Sequence, residues 1–271
     1  MDLELKDVHV LVTGASGGIG LETAKVFLQQ GSKVTAHYNT NSTTLEPLLT
    51  RYGQTQVQAL QANLSLETDV ARLFSVASSS FGPVQVIVVN HGVWPSTDEP
   101  VVQMSLDQWK NTIDVNLTSS FLVAREFLRG LQGAPEDVKA YASIVFIGSS
   151  SGKFGEFGHA DYSASKSAMM YGLTLTLKNE IVKIAPKGRV NCIAPGWVKT
   201  PLAEEALKDP LVVYRALATT PLKKVGLPSD VANQIAIIAS QRVSGHISGQ
   251  VIMITGGMEG RLLNLPEDIQ P

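Results

Sequence analysis

Short apolar runs rich in β-branched residues alternate with longer segments of helical period along almost the whole chain. The runs are Val8 to Val12, Lys33 to His37, Val57 to Leu60, Val84 to Val89, Ser143 to Ile147, Arg189 to Ile193 and Val251 to Ile254. Helical candidates lie between them at Gly18 to Gln30, Thr44 to Tyr52, Glu67 to Ser80, Leu106 to Gly130, Asp161 to Ile184 and Pro228 to Ser240. Continuously apolar strands are buried on both faces, and strands separated by helices form crossover units. The pattern predicts an α/β fold with a doubly wound parallel sheet of about seven strands flanked by helices.

At 271 residues and 44% hydrophobic the chain can bury one large core. We read residues 1–260 as one domain and 261–271 as a loosely held C-terminal tail. Gln132 to Ala140 reads as a surface insertion, and Pro195 to Gly226, broken by Pro201, Pro210 and Pro221, as a mobile flap. The net charge of -2 comes without a basic block, which argues against nucleic acid or an anionic membrane as partner. The lone Cys192 sits in an apolar stretch and reads as a buried thiol. No metal is implied, because no His/Cys/Asp cluster has ligand spacing. With no apolar run near the roughly 18 residues of a membrane span and no leader pattern at Met1 to Asp7, the expected location is cytoplasmic.

Thr13 to Gly20 follows the first strand and opens the first helix, with Gly14, Gly18 and Gly20 spaced G-x-x-x-G-x-G. Glycines let backbone approach a pyrophosphate, whose charge meets free amides at a helix N-terminus. Tyr162 and Lys166 stand one helical turn apart, so both project from one face. An ammonium near a phenol favours the phenolate and lowers its pKa from about 10, as suits a general acid/base. Ser149 ends the apolar run Ile144 to Ile147 upstream. After the second strand comes Tyr38-Asn39-Thr40-Asn41-Ser42, with no carboxylate to take a ribose 2′-hydroxyl. Neutral donors on Asn39, Thr40 and Ser42, with His37 nearby, could receive a 2′-phosphate, so the reading leans to NADP(H) over NAD(H); the alternative is that these are turn residues only.

Gly14, Gly18, Gly20, Ser149, Tyr162 and Lys166, in this order and spacing, resemble the short-chain dehydrogenase/reductase family over about Leu5 to Gly257. The resemblance implies a Rossmann-type fold and hydride transfer between NAD(P)(H) and a carbonyl or alcohol. It implies a catalytic set of Asn116, Ser149, Tyr162 and Lys166, in which Asn116 anchors a relay water and Lys166 also grips the nicotinamide ribose. It places the cofactor along Gly14, Ser16, Gly18, Ile19 and Gly20, then Tyr38, Asn39 and Thr40, with Asn63, Leu64, Asn90 and Gly92 on the adenine side. Tyr162 and Lys166 with Pro195, Gly196, Val198 and Thr200 fall at the nicotinamide end. Departures from the family pattern are His91 within Asn90-His91-Gly92, Asn63 where Asp is frequent, and Thr255 near the last strand.

Trp94, Phe154, Phe157, His159, Trp197 and Tyr214 lie in loops after strands or in the flap, where open α/β sheets bind ligands. They suggest a hydrophobic or ring-bearing carbonyl substrate, or else loop packing. The resembling members are ketoacyl carrier-protein reductases and broad ketone reductases, and the lack of a basic patch disfavours an acidic carrier. Alternatives are a non-catalytic cofactor-binding protein on the same fold, or a repurposed enzyme of a biosynthetic pathway. Phe121, Val123, Ala168, Met169, Met170 and Leu173 put apolar or small side chains on more than one face of the two long helices, predicting a homotetramer or homodimer.

Overall fold

The computed structural model describes residues 2–269; Met1 and the last two residues of the expected tail lie outside them. Its sheet has seven strands in the order β3-β2-β1-β4-β5-β6-β7, all parallel. These are β1 (His9–Val12), β2 (Lys33–Tyr38), β3 (Val57–Gln61), β4 (Val86–Val89), β5 (Ser143–Ile147), β6 (Arg189–Pro195) and β7 (Val251–Ile254). Helices α1 (Gly18–Gln29), α2 (Glu46–Tyr52) and α3 (Glu67–Phe81) serve the first half. The second half carries α4 (Leu106–Ile113), α5 (Ser119–Gln132), α6 (Glu136–Lys139), α7 (Ser150–Phe154), α8 (Ala160–Ser167), α9 (Thr174–Ile184), α10 (Pro210–Leu217), α11 (Pro228–Ala239) and α12 (Gln241–Ser244). The doubly wound expectation is met, because alternate side chains of each buried strand feed opposite faces. Ile144 and Phe146 of β5 pack with Phe127 and Leu131 on one side, while Val145 and Ile147 pack with Phe27 and Ile235 on the other.

Two expected uninterrupted helices are each broken by a π-helical turn. Asp114–Thr118 joins α4 to α5, and Ala168–Leu173 joins α8 to α9. A π-turn inserts one residue into the helical ladder and recurs at functional sites. The expected insertion after α5 contains the short helix α6, with Pro135 at its N-cap in extended conformation. The base of the expected flap is pinned: Val198 bridges Gly226, with Lys199 N donating to Gly226 O at 2.9 Å and Gly226 N to Trp197 O at 2.9 Å.

The sheet also buries polar side chains, two of them histidines with partners on both ring nitrogens. His9 lies between Gly82 O at 2.7 Å and the Thr35 hydroxyl at 2.9 Å, and burial pushes its pKa down to about 4. His37 accepts from Gly14 N through Nδ1 at 3.1 Å and donates from Nε2 to Ala62 O at 3.0 Å, which fixes one neutral tautomer. Burial likewise pushes its pKa down to about 4. The folded state therefore resists a proton that the unfolded chain takes at about 6.5. Stability from each histidine, on the order of 3 kcal/mol, is complete above about pH 6.5 and drains away towards pH 4. Urea unfolding across that interval should show the decline, and His9→Gln, which cannot titrate, should reduce it by about half, leaving the part due to His37.

Candidate active site

The order of strands reverses direction between β1 and β4, and the crevice of such a sheet opens there, beyond the carboxyl ends of the strands. Side chains lock the two loops that leave those ends. Thr13 Oγ1 accepts from Asn90 N at 2.9 Å, and Asn90 Nδ2 donates to Thr13 O at 3.1 Å and Gly14 O at 3.2 Å. Gly14 takes φ +61°, a conformation costly for any side chain. A Cβ on Gly20 would lie 2.2 Å from Gly14 O, so α1 packs on the loop through bare backbone.

A cleft of about 500 Å³ runs along this edge. Gly14, Ser16, Gly18 and Ile19 form its floor, Asn63 and Leu64 one end, and Asn90 and Gly92 the adjoining wall. Asn39 and Thr40 line it near β2; Tyr38 and Gly20 do not, the first packing on the core and the second lying under the loop. At the opposite end stand Ser149, Tyr162 and Lys166 with Pro195, Gly196, Val198 and Thr200. One elongated cleft thus joins a glycine cradle to the Tyr-Lys pair, and the cradle fits a dinucleotide pyrophosphate. A Cβ on Gly18 would meet Thr200 of the flap at 2.8 Å, so this glycine lets the flap close over the cradle.

Lys166 is buried, and its Nζ donates to Ile147 O at 2.8 Å. It lies over the Tyr162 ring, 5.7 Å from the centroid, rather than at the phenolic oxygen. The expected lowering of the Tyr162 pKa is accordingly reversed: burial pushes it up to about 12, against the neighbouring Ser149 hydroxyl, which pulls it down. Burial also pushes Lys166 down to about 8. Desolvation outweighs the pairing that spacing suggests.

Asn116 lies buried within the first π-turn. Its Oδ1 accepts from Val93 N at 2.8 Å, and its Nδ2 donates to Val93 O at 2.9 Å and to Ser165 Oγ at 3.2 Å. It ties the loop after β4 to the helix bearing Tyr162 and Lys166. His91 is held between the hydroxyls of Thr13 (2.8 Å) and Ser119 (2.7 Å), and burial keeps its pKa well below the usual value.

The aromatic residues divide. Trp94 and Trp197 line the cleft and meet edge-to-face, their centroids 5.9 Å apart. His159 is buried behind Trp94, stacked on it at 4.6 Å, with Nε2 on Pro95 O at 2.8 Å. Phe154, Phe157 and Tyr214 are not part of the cleft wall; Phe157 and Tyr214 are turned to the surface. Sequence reading missed Ser151, Glu156 and Arg261, which line the cleft beside Ser149 and Tyr162. Isolated charged residues 105 positions apart carry no local signal of meeting. Arg261, the first residue of the expected tail, lines the cleft.

Comparison with known proteins places the chain in a family. A family model described as enoyl-(acyl carrier protein) reductase matches residues 14–259. A 3-oxoacyl-[acyl-carrier-protein] reductase of Synechocystis is 32% identical over 92% of this chain and 95% of its own. Nodulation protein G of Rhizobium is 33% identical over 94% and 98%. The crystal structure of a short-chain dehydrogenase/reductase of Brucella melitensis, titled a glucose/ribitol dehydrogenase, superposes with a TM-score of 0.83 at 29% identity, covering 95% of this chain and 99% of that one. The chain belongs to the short-chain dehydrogenase/reductase family, and is an NAD(P)-dependent oxidoreductase acting on C=O or CH–OH groups. Among the described residues no helix is long and apolar enough to cross a membrane.

The cradle makes a local prediction. Gly20→Ala should cost about 1–3 kcal/mol by overpacking on Gly14 O and weaken nucleotide binding. Gly17→Ala, whose nearest new contact is 3.4 Å, should be tolerated. Chemical denaturation and a nucleotide fluorescence titration of the pair check this.

Proposed function

We propose that this protein is an NADPH-dependent ketone reductase that takes 3-oxoacyl thioesters or related small carbonyl compounds. The observation that carries the reading is that Ser149, Tyr162 and Lys166 line the same cleft as the glycine cradle. The nicotinamide, when bound, supplies hydride to the carbonyl carbon. Ser149 donates a hydrogen bond to the carbonyl oxygen, and Tyr162 delivers its phenolic proton there. A tyrosine with a pKa of about 12 is protonated at neutral pH, the form that reduction requires. Lys166, buried in the cleft wall, holds the nicotinamide ribose, and Asn116 fixes the loop and helix between which protons pass to solvent.

NADPH over NADH rests on Asn39 and Thr40 lining the cleft near β2 without a carboxylate. His37 is neutral and fully engaged, so it lends no cationic charge to a 2′-phosphate. Trp94 and Trp197 give the substrate end an apolar wall, which favours a hydrophobic carbonyl compound. A cytoplasmic small-molecule reductase is the setting these features suit.

Self-association belongs to the same reading. Val123, Met169 and Met170 are consumed by the chain's own core, but Phe121, Tyr171, Leu175 and Val182 are exposed on α5, α9 and the π-turn before α9. These support a homotetramer or homodimer, and light scattering at micromolar concentration should give a mass above that of the monomer.

NADPH oxidation with acetoacetyl N-acetylcysteamine thioester and a panel of cyclic and open-chain ketones tests the activity. Tyr162→Phe should reduce turnover by about 10²–10⁴-fold while NADPH affinity stays near normal. A Tyr162→Phe enzyme with full turnover would remove the acid from the scheme, and tighter NADH than NADPH binding would reverse the cofactor assignment.

A further inference from the structure

Ser149 does not stand alone in the cleft wall. Its Oγ accepts from Ser151 N at 3.1 Å and lies 3.2 Å from Ser151 Oγ. Ser151 Oγ in turn donates to Glu156 Oε2 at 2.5 Å, and a carboxylate can only accept. Having given its single proton to Glu156, Ser151 Oγ is an acceptor towards everything else. Its strongest donor is Arg261, whose Nη2 reaches it at 2.7 Å. The guanidinium also contacts Ser150 Oγ at 3.3 Å and Glu156 Oε1 at 3.3 Å.

We propose that Arg261 is a positioning residue for the reductase site, holding Ser151 and Glu156 so that the Ser149 proton remains available to the substrate carbonyl. Arg261 occupies one of the two lone pairs of Ser151 Oγ, and the other receives only the long 3.2 Å contact from Ser149 Oγ. The backbone N–H of Ser151 meanwhile fixes the Ser149 oxygen. Without the guanidinium, Ser151 Oγ loses its stronger donor and draws more on the Ser149 proton, and Glu156 loses its ion-pair partner beside Tyr162. The inference rests on the assignment of Ser149 and Tyr162 to the chemistry.

The arginine is presented by a held segment. Thr219 Oγ1 donates to Gly260 O at 2.6 Å, Glu259 N to Thr219 O at 3.2 Å, and Leu222 N to Gly256 O at 3.1 Å. The Arg261 and Glu156 side chains are 18% and 13% exposed, so the pair is largely withdrawn from the water that would screen a surface ion pair.

Charge gives the role a signature that a merely structural contact lacks. Glu156 raises the Tyr162 pKa and Arg261 lowers it. The other groups beside this tyrosine are Asp161, whose Oδ1 accepts from Tyr162 N at 2.8 Å, Lys166 on its own helix, and Ser149. Cys192 of β6 faces Lys166 as a thiol pushed up to about 12. None of these is altered by substituting Glu156 or Arg261.

The experiment compares Arg261→Met, Arg261→Lys, Glu156→Gln and Tyr162→Phe for thioester reduction, and for oxidation of the corresponding 3-hydroxy compound across pH. Arg261→Met should lower kcat about ten- to a hundredfold with NADPH affinity unchanged, and Arg261→Lys should recover part of the loss. The rising limb of oxidation, which follows Tyr162 deprotonation, should move to higher pH in Arg261→Met and to lower pH in Glu156→Gln. Limbs that stay put, or move the same way, in variants of normal melting temperature would overturn the proposal. If Arg261→Met fails to fold, Glu156→Gln keeps the shape of the carboxylate and must still move the limb down; an unmoved limb is equally fatal. NMR titration of Tyr162 labelled at Cζ reads the same opposed shifts without turnover. A Tyr162→Phe enzyme of full activity would instead defeat the underlying assignment, whatever Arg261 does.

Discussion

The clamp between Thr13 and Asn90 sits where the sheet changes winding direction, and the rest of the site is built out from it. Beyond β1 the backbone still bonds to its neighbours through Thr13 N on Val88 O and Ala15 N on His37 O, and the carbonyls of Thr13 and Gly14 are taken by a side chain. The Asn90 side-chain amide donates to Thr13 O and Gly14 O, and Thr13 Oγ1 accepts from Asn90 N. The clamp keeps the glycine loop open at a fixed width. That is the condition for backbone amides at the start of α1 to meet an anion. His91, next in sequence, extends the same clamp to Ser119 at the start of α5.

Desolvation governs the charges around this framework. Lys166 is pushed down to about 8 and Tyr162 up to about 12, while the buried histidines are held neutral. The apparent pairing of phenol and ammonium is thus a shared face rather than a direct ion pair. Lys166 is anchored through Ile147 O instead, which ties its position to the end of β5, the strand that also delivers Ser149. A proton donor and its neighbours are therefore held by one strand end and one helix. Catalytic geometry of this kind needs such rigid support, because small misplacements are costly in rate.

The π-turns have a related consequence. Asn116 occupies the first of them, and its amide is engaged on the backbone of Val93 and on Ser165. A regular α-helix through Leu106 to Gly130 would present its faces at a constant angular step. The extra residue in the turn breaks that step, so α4 and α5 can each satisfy different neighbours.

The doubly wound sheet was legible in the sequence because a strand buried on both faces must be continuously apolar. Runs such as Val86 to Val89 leave few alternatives. The glycine loop was legible for the same kind of reason: close backbone approach admits no side chain at Gly14 or Gly20. Helical spacing placed Tyr162 and Lys166 on one face, but it could not say how deeply they are buried, and burial set the direction of both pKa values. Nor could it separate Trp94 and Trp197, which wall the cleft, from Phe157 and Tyr214, which point to the surface. Arg261 marks the limit most clearly, since its meeting with Glu156 and Ser151 depends on chain paths 105 and 110 residues apart. Local sequence dictates periodicity and backbone freedom; the distances at which distant charges act, and the water excluded around them, are decided only when the sheet, the flap and the C-terminal segment close on one another.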